Sequence, residues 1–150
     1  MELVIIQNNE KSYNKWRISI FVALLFLIIV NPILYKLVDM VFGKLFRVAN
    51  SQGCPTYPGF LLHALVFFLL LRVSMNVENS KLTNLEKWRY SFYTLLIFLF
   101  VANPLTYKLT DDIFGKVFKV ANSNGCATSS GMVLHSLVFL FILRFAMDLE

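Results

Sequence analysis

The chain has 150 residues, the length of one ordinary domain, and 57% of them are hydrophobic, with 15 phenylalanines, against 15% charged. A soluble protein this small leaves too much surface in water to hide that apolar excess, so lipid is the expected solvent and a packed soluble helical bundle is the competing reading. The net charge of +5 comes without a clustered basic face or base-stacking elements, which points to anionic headgroups and argues against nucleic acid as a partner.

The first sixteen residues, MELVIIQNNEKSYNKW, place Glu2 where a secretory signal would carry basic residues. They also lack a sufficient apolar run, a small-residue cleavage site and a lipidation motif, so insertion is expected to rely on the first span itself.

That span is WRISIFVALLFLIIV, residues 16–30, with Ser12 as a candidate N-cap. A helix over residues 13–30 rises about 26 Å, close to the hydrocarbon thickness of a bilayer. Trp16, bracketed by Lys15 and Arg17, is the expected anchor at the membrane–water boundary.

Asn31-Pro32 interrupts the span, because proline has no N–H to bond back four residues, whereas Asn at an N-cap and Pro at the first helical position start a helix well. Ile33, Leu34, Leu37, Val38, Val41, Phe42, Leu45, Phe46 and Ala49 then recur on one face, with Lys36, Asp39, Gly43, Lys44, Arg47 and Asn50 opposite. This pattern predicts one amphipathic helix lying in the membrane interface, with Tyr35 as an anchor on that side. A kinked first span continuing through Tyr35 is the alternative.

The turn NSQGCPT leads into GFLLHALVFFLLLRVSM, residues 59–75, a second span whose Arg72 can reach the headgroups at its far end. Gly59, Leu62, His63 and Val66 share a helical face, and the small residue there suits packing against another span.

The whole pattern then repeats. Residues 15–75 align without gaps onto 87–147 at an offset of 72, with 33 of 61 positions identical. The boundaries predicted are 12–76 for the first repeat, 77–86 for a linker and 87–148 for the second repeat, within a single four-span domain over residues 1–150. Thr83 and Glu86 form a capping-box pattern that starts the third span near residue 84. Trp88, Tyr107 and Arg144 repeat the anchors, Asn103-Pro104 the break, and Gly131, Leu134, His135 and Val138 the packing face. Each copy crosses twice, so the two enter in the same direction and their pseudo-twofold axis is expected along the membrane normal. The predicted class is an all-α integral membrane protein built from two units of transmembrane helix, interfacial amphipathic helix and transmembrane helix.

The loops match better than the spans. FGKLFRVANSQGCPT (residues 42–56) and FGKVFKVANSNGCAT (residues 114–128) agree at 11 of 15 positions. Lipid accepts nearly any apolar side chain, whereas a platform and turn must hold their geometry or a partner-binding surface, and the sequence leaves both reasons open.

Little in the chain suggests chemistry. Cys54 and Cys126 occupy equivalent positions on one side of the membrane and suit a disulfide across the axis on an oxidising side, or else two small buried thiols. His63 and His135 with the two cysteines complete a conceivable zinc set, but their spacing matches no compact metal motif, and bonding to backbone carbonyls is preferred. Asp39, Asp111 and Asp112 fall on the predicted solvated face, and there is no GxSxG, HExxH or P-loop. Neither enzymatic activity nor a cofactor is expected. Polar residues at mid-depth are confined to Ser19, Ser91, Thr94 and Ser136, which is thin for a pore lining.

Tyr35-Lys36-Leu37, Gly53-Cys54-Pro55-Thr56, Gly59, Leu62-His63, Val66-Phe67, Arg72 and Met75, repeated in the second copy with Ala127 in place of the proline, form a pattern. It resembles that of small two-span membrane proteins encoded by large nucleocytoplasmic DNA viruses of protists and algae. The resemblance covers most of both copies and brings no catalytic residues. It implies a protein of a viral inner membrane, or of the host endomembrane it derives from. The two amphipathic helices on one face add the expectation of a structural protein that organises or curves the bilayer. Its expected partners are lipid and either a capsid-like scaffold or further copies of itself. A small homo-oligomeric channel of viroporin type is the alternative.

Overall fold

The computed structural model describes residues 2–77 and 81–149. The described residues form six helices and no extended sheet: α1 (Glu2–Ile29), α2 (Pro32–Phe42), α3 (Tyr57–Val77), α4 (Asn84–Val101), α5 (Pro104–Phe114) and α6 (Ser129–Ala146). Three are long and apolar enough to cross a membrane, within α1, α3 and α6; α4 joins them only if counted with α5 as one span bent by 51°. Glu86, Lys87 and Arg89 lie in the first turns of α4 and lower the hydropathy of an 18-residue helix that has no apolar length to spare.

The helices end where local chemistry ends them. Thr83 caps α4 with the full capping box, its side chain accepting from Glu86 N and the Glu86 carboxylate accepting from Thr83 N. Asn31 caps α2 by accepting from Ile33 N at 2.9 Å, and Asn103 caps α5 in the same way. α1, however, begins well before Ser12, which lies inside the helix and is no cap; its hydroxyl instead accepts from the Arg144 guanidinium of α6. Residues 2–11 contain no Gly or Pro to stop it. Part of the expected linker, residues 78–80, lies outside the described residues.

α1 packs most extensively on α6, and α3 on α4, so each half's first long helix lies chiefly against the other half's second. Four phenylalanines fill the middle: Phe26, Phe67, Phe98 and Phe139 are all fully buried. Phe26 stacks on Phe139 at 4.6 Å and Phe67 on Phe98 at 4.4 Å, with edge contacts closing the ring. The buried stripe on α6 runs Gly131, His135, Phe139, Leu143, and α3 carries the matching Gly59, His63, Phe67, Leu71. This is the row of every fourth residue that forms one ridge of a helix. Val66 and Val138, expected on the packing face, are 39% and 42% exposed and belong to the outer surface.

That outer surface is apolar. Ile20, Leu24 and Ile28 on α1, Leu61, Leu65 and Leu69 on α3, and Leu137 and Phe141 on α6 are all exposed. Only 28% of each candidate span is buried within the protein, so most of its hydrophobic surface has no protein partner.

Candidate functional site

The two retained loops and the helix ends beneath them form the most constructed region of the molecule. α2 was expected to continue through residue 49. It stops at Phe42 instead, and residues 44–47 turn so that Val48 and Ala49 run extended opposite Pro55 and Thr56. The cause is Asp39. Its Oδ1 accepts from Val48 N at 2.7 Å and Ala49 N at 3.1 Å, where a continuing helix would have bonded those groups to its own carbonyls. Asp111 does the same for Val120 and Ala121 at 2.8 and 3.2 Å. Neither residue merely decorates a solvated face. The backbone N–H donors hold both carboxyls below the usual aspartate range, Val48 and Val120 contributing most.

The rest of the loop is built from the residues that recur. The Asn50 side chain accepts from Gln52 N and Cys54 N at 2.9 and 3.0 Å, closing a tight turn, and Asn122 repeats it. Gly53 and Gly125 take φ of +85° and +78°, where a side chain is strained. Thr56 bonds the Val48 carbonyl and accepts from Gly59 N at 3.1 Å, tying loop to helix start. A Cβ on Gly59 would stand 1.9 Å from the Val48 carbonyl oxygen, and one on Gly131 would stand 2.0 Å from that of Val120. These glycines admit the loop backbone, not a neighbouring span as expected. Leu62 and Leu134 pack beside them under Val48 and Val120.

Cys54 and Cys126 form a disulfide across the two loops, with Cα atoms 5.2 Å apart. Asn124 of one loop also reaches Gln52 of the other at 3.4 Å.

Below the loops, each histidine reads the break in the helix before it. Pro32 cannot continue α1, and Ile33 N is taken by Asn31, so the Ile29 carbonyl is left without a helical donor. His63 Nδ1 reaches that carbonyl at 2.9 Å, and His135 Nδ1 reaches Val101 O at 2.8 Å. A carbonyl only accepts, so Nδ1 carries the proton in each ring. Tyr35 stacks on His63 at 3.7 Å and Tyr107 on His135 at 3.8 Å. Both tyrosines, expected as membrane anchors, are 2% and 3% exposed, because the stack draws them inward.

The surroundings of the two histidines differ. His135 Nε2 lies 3.2 Å from the Thr110 hydroxyl, whose single proton is shared with the Thr106 carbonyl at 2.7 Å. Val38 stands where Thr110 does, and His63 Nε2 is buried without a hydrogen-bond partner among the described residues.

The four residues weighed as a zinc set are otherwise engaged: the cysteines are bonded to each other and each histidine to a carbonyl. Among the described residues no three His, Cys, Asp or Glu side chains gather as metal ligands.

At the opposite end, Trp16 and Trp88 are partly exposed beneath Arg144 and Arg72, at 5.3 and 4.9 Å from the guanidinium carbons. Arg144 and Lys15 share Asp148, while Arg72 and Lys87 share Asn76 at the equivalent position. Ser19 and Ser91, the fully buried hydroxyls, point to the sulfurs of Met147 and Met75 rather than to any channel.

Comparison with family models, with curated proteins and with solved structures finds no match to this chain.

Proposed function

We propose that the chain is a structural membrane protein: a four-span unit with a pseudo-twofold axis along the membrane normal, whose disulfide-joined loops form a docking platform. The observation that carries this reading is the contrast between two regions. The loops are braced by two aspartates, two asparagines, two threonines and the disulfide, while the centre of the bundle is filled by stacked phenylalanines. A rigid polar surface above an apolar plug suits holding something in place better than passing something through.

α2 and α5 add exposed Ile33, Leu37, Val41, Leu105, Leu109 and Ile113 beside the loops, and Lys36 and Lys108 rise from the same helices. Helices of this kind insert into one leaflet, attract anionic headgroups and favour curvature. Taken with the resemblance of the repeated motif, the function is organising or curving a viral inner membrane, or the host endomembrane it derives from, and docking a scaffold or capsid partner. A disulfide persists only on an oxidising side, so the loops face away from the cytoplasm and the termini face into it. The excess of Lys and Arg on the terminal side, eight against six, points the same way.

The native mass and composition of the complex, extracted in mild detergent, tests the reading. An assembly containing non-identical proteins supports it. A closed ring of this chain alone overturns it in favour of a channel between protomers, since the phenylalanine core leaves no path within one.

A further inference from the structure

Under the disulfide, between the ends of α1 and α4 and the starts of α2 and α5, lies a cavity of about 90 Å³. Val30, Ala102, Pro32 and Pro104 give it apolar walls, and the disulfide sulfur side is contributed by Cys126. Its polar lining comes from Tyr35, Tyr107, Gln52 and Asn122 and from the backbone of the two loop glycines. Among the described residues no acidic or basic side chain lines it. The negative ends of α1 and α4 adjoin the positive ends of α2 and α5, so the helix dipoles oppose one another there as well.

Tyr107 is the informative residue. It is 3% exposed, it lines the cavity, and its phenol oxygen is buried with no hydrogen-bond partner among the described residues. The ring cannot turn outward to water, because it is stacked on His135 at 3.8 Å and 10°. A buried hydroxyl is normally paired, and leaving it unpaired is costly. A space of this size matches about three water molecules at their liquid volume, or one molecule of a few non-hydrogen atoms. A charged guest would find no counter-charge, and a purely apolar one would leave the phenol unpaired.

We propose that this cavity is a binding site for a small uncharged hydrogen-bonding guest, water or a short alcohol or polyol, held by the Tyr107 hydroxyl beneath the Cys54–Cys126 bridge. The site requires neither the membrane role nor the docking partner proposed above.

Tyr107→Phe removes only the hydroxyl and keeps the ring on His135, so it preserves the fold. With the guest bonded to that hydroxyl, the variant melts lower than the parent by at least about 2 °C, with the disulfide intact in both. Tyr57→Phe, on an exposed tyrosine, leaves Tm unchanged. An equal or higher Tm for Tyr107→Phe means that the hydroxyl has no guest, and overturns the proposal. Magnetisation transfer to the Tyr107 ring protons then identifies the source, first from water alone and next with ethylene glycol added as probe. Transfer from water only assigns water as the guest, and transfer from glycol assigns a polyol. Transfer from neither overturns the proposal whatever the melting shift.

Discussion

His63 and Ile29 are joined across two helices by a 2.9 Å hydrogen bond, from a ring nitrogen to a carbonyl left without a helical donor because the Asn31 side chain takes the Ile33 amide. The break in one helix is thus repaired by the next. Removing the ring leaves that carbonyl buried and unpaired. We expect His63→Ala and His135→Ala each to lower unfolding free energy in mixed micelles by about 1–3 kcal/mol. His135→Ala should cost more, because it also removes the partner of Thr110. Equal stability of parent and variants would show the bond to be dispensable.

The disulfide closes a segment of 72 residues. In the chain-entropy account such a closure is worth about 4 kcal/mol, and reduction or the double replacement Cys54→Ser, Cys126→Ser should cost roughly that amount. A protease site introduced after Val77 gives a direct check. Cleaved protein should run as one band without reductant and as two with it.

Orientation can be read by glycosylation. An acceptor site introduced at Gln52 or Asn124 should be modified in microsomes, and one introduced at Lys81 should not. The reverse pattern would place the disulfide on the cytoplasmic side and refute the proposed topology.

Asp39 and Asp111 make the loops sensitive to acid. Their folded-state carboxyls titrate lower than in the unfolded chain, so their contribution is fully present above the unfolded value of about 3.9 and is lost as pH falls through the lower folded one. The Val48 and Val120 amide proton shifts should therefore move together at a midpoint below about 3.9. Asp39→Asn should abolish that transition at Val48 and leave Val120 unaffected.

The loop glycines should separate by cause. Gly59→Ala drives a methyl into the Val48 carbonyl, which neither helix nor loop can yield, and a loss at or beyond about 3 kcal/mol is expected. At Gly125 the nearest atom to a new Cβ is 3.6 Å away, so Gly125→Ala carries only the left-handed backbone cost of about 1–2 kcal/mol. Thermal unfolding of both variants ranks them.

Sequence alone reaches whatever is settled within a few residues. The Asn-Pro breaks, the capping box at Thr83 and Glu86, and the apolar stretches all depend on neighbours along the chain, and all fall where periodicity and capping rules place them. The end of α2 does not, because a carboxylate nine residues upstream takes the amides that would have continued the helix. Tyr35 followed by Lys36 has the pattern of a boundary anchor, and only the His63 ring from another helix turns it inward. Leu62, His63 and Val66 do share a face with Gly59, yet the stripe actually covered advances by fours through Phe67 and Leu71. That choice belongs to the crossing geometry of two helices. In the candidate site the retained loop was visible as a match between copies; Asp39 and Asp111 also match across the copies, but nothing local distinguishes a brace nine residues from its amides from a carboxylate on a solvated face.

The exchange of partners between the halves bears on how such a chain can diverge. Phe26 is completed by Phe139 and Phe98 by Phe67, so neither half covers its own aromatic core. A lone half would have to find a twin copy, and its occupancy would rise and fall with dilution. Tethering replaces that bimolecular search with an effective concentration on the order of millimolar. Once tethered, the twins need no longer be self-complementary. Thr110 stands where Val38 does and Asp148 where Asn76 does, and in one chain an ion pair or a hydroxyl needs to suit only one of the two seats.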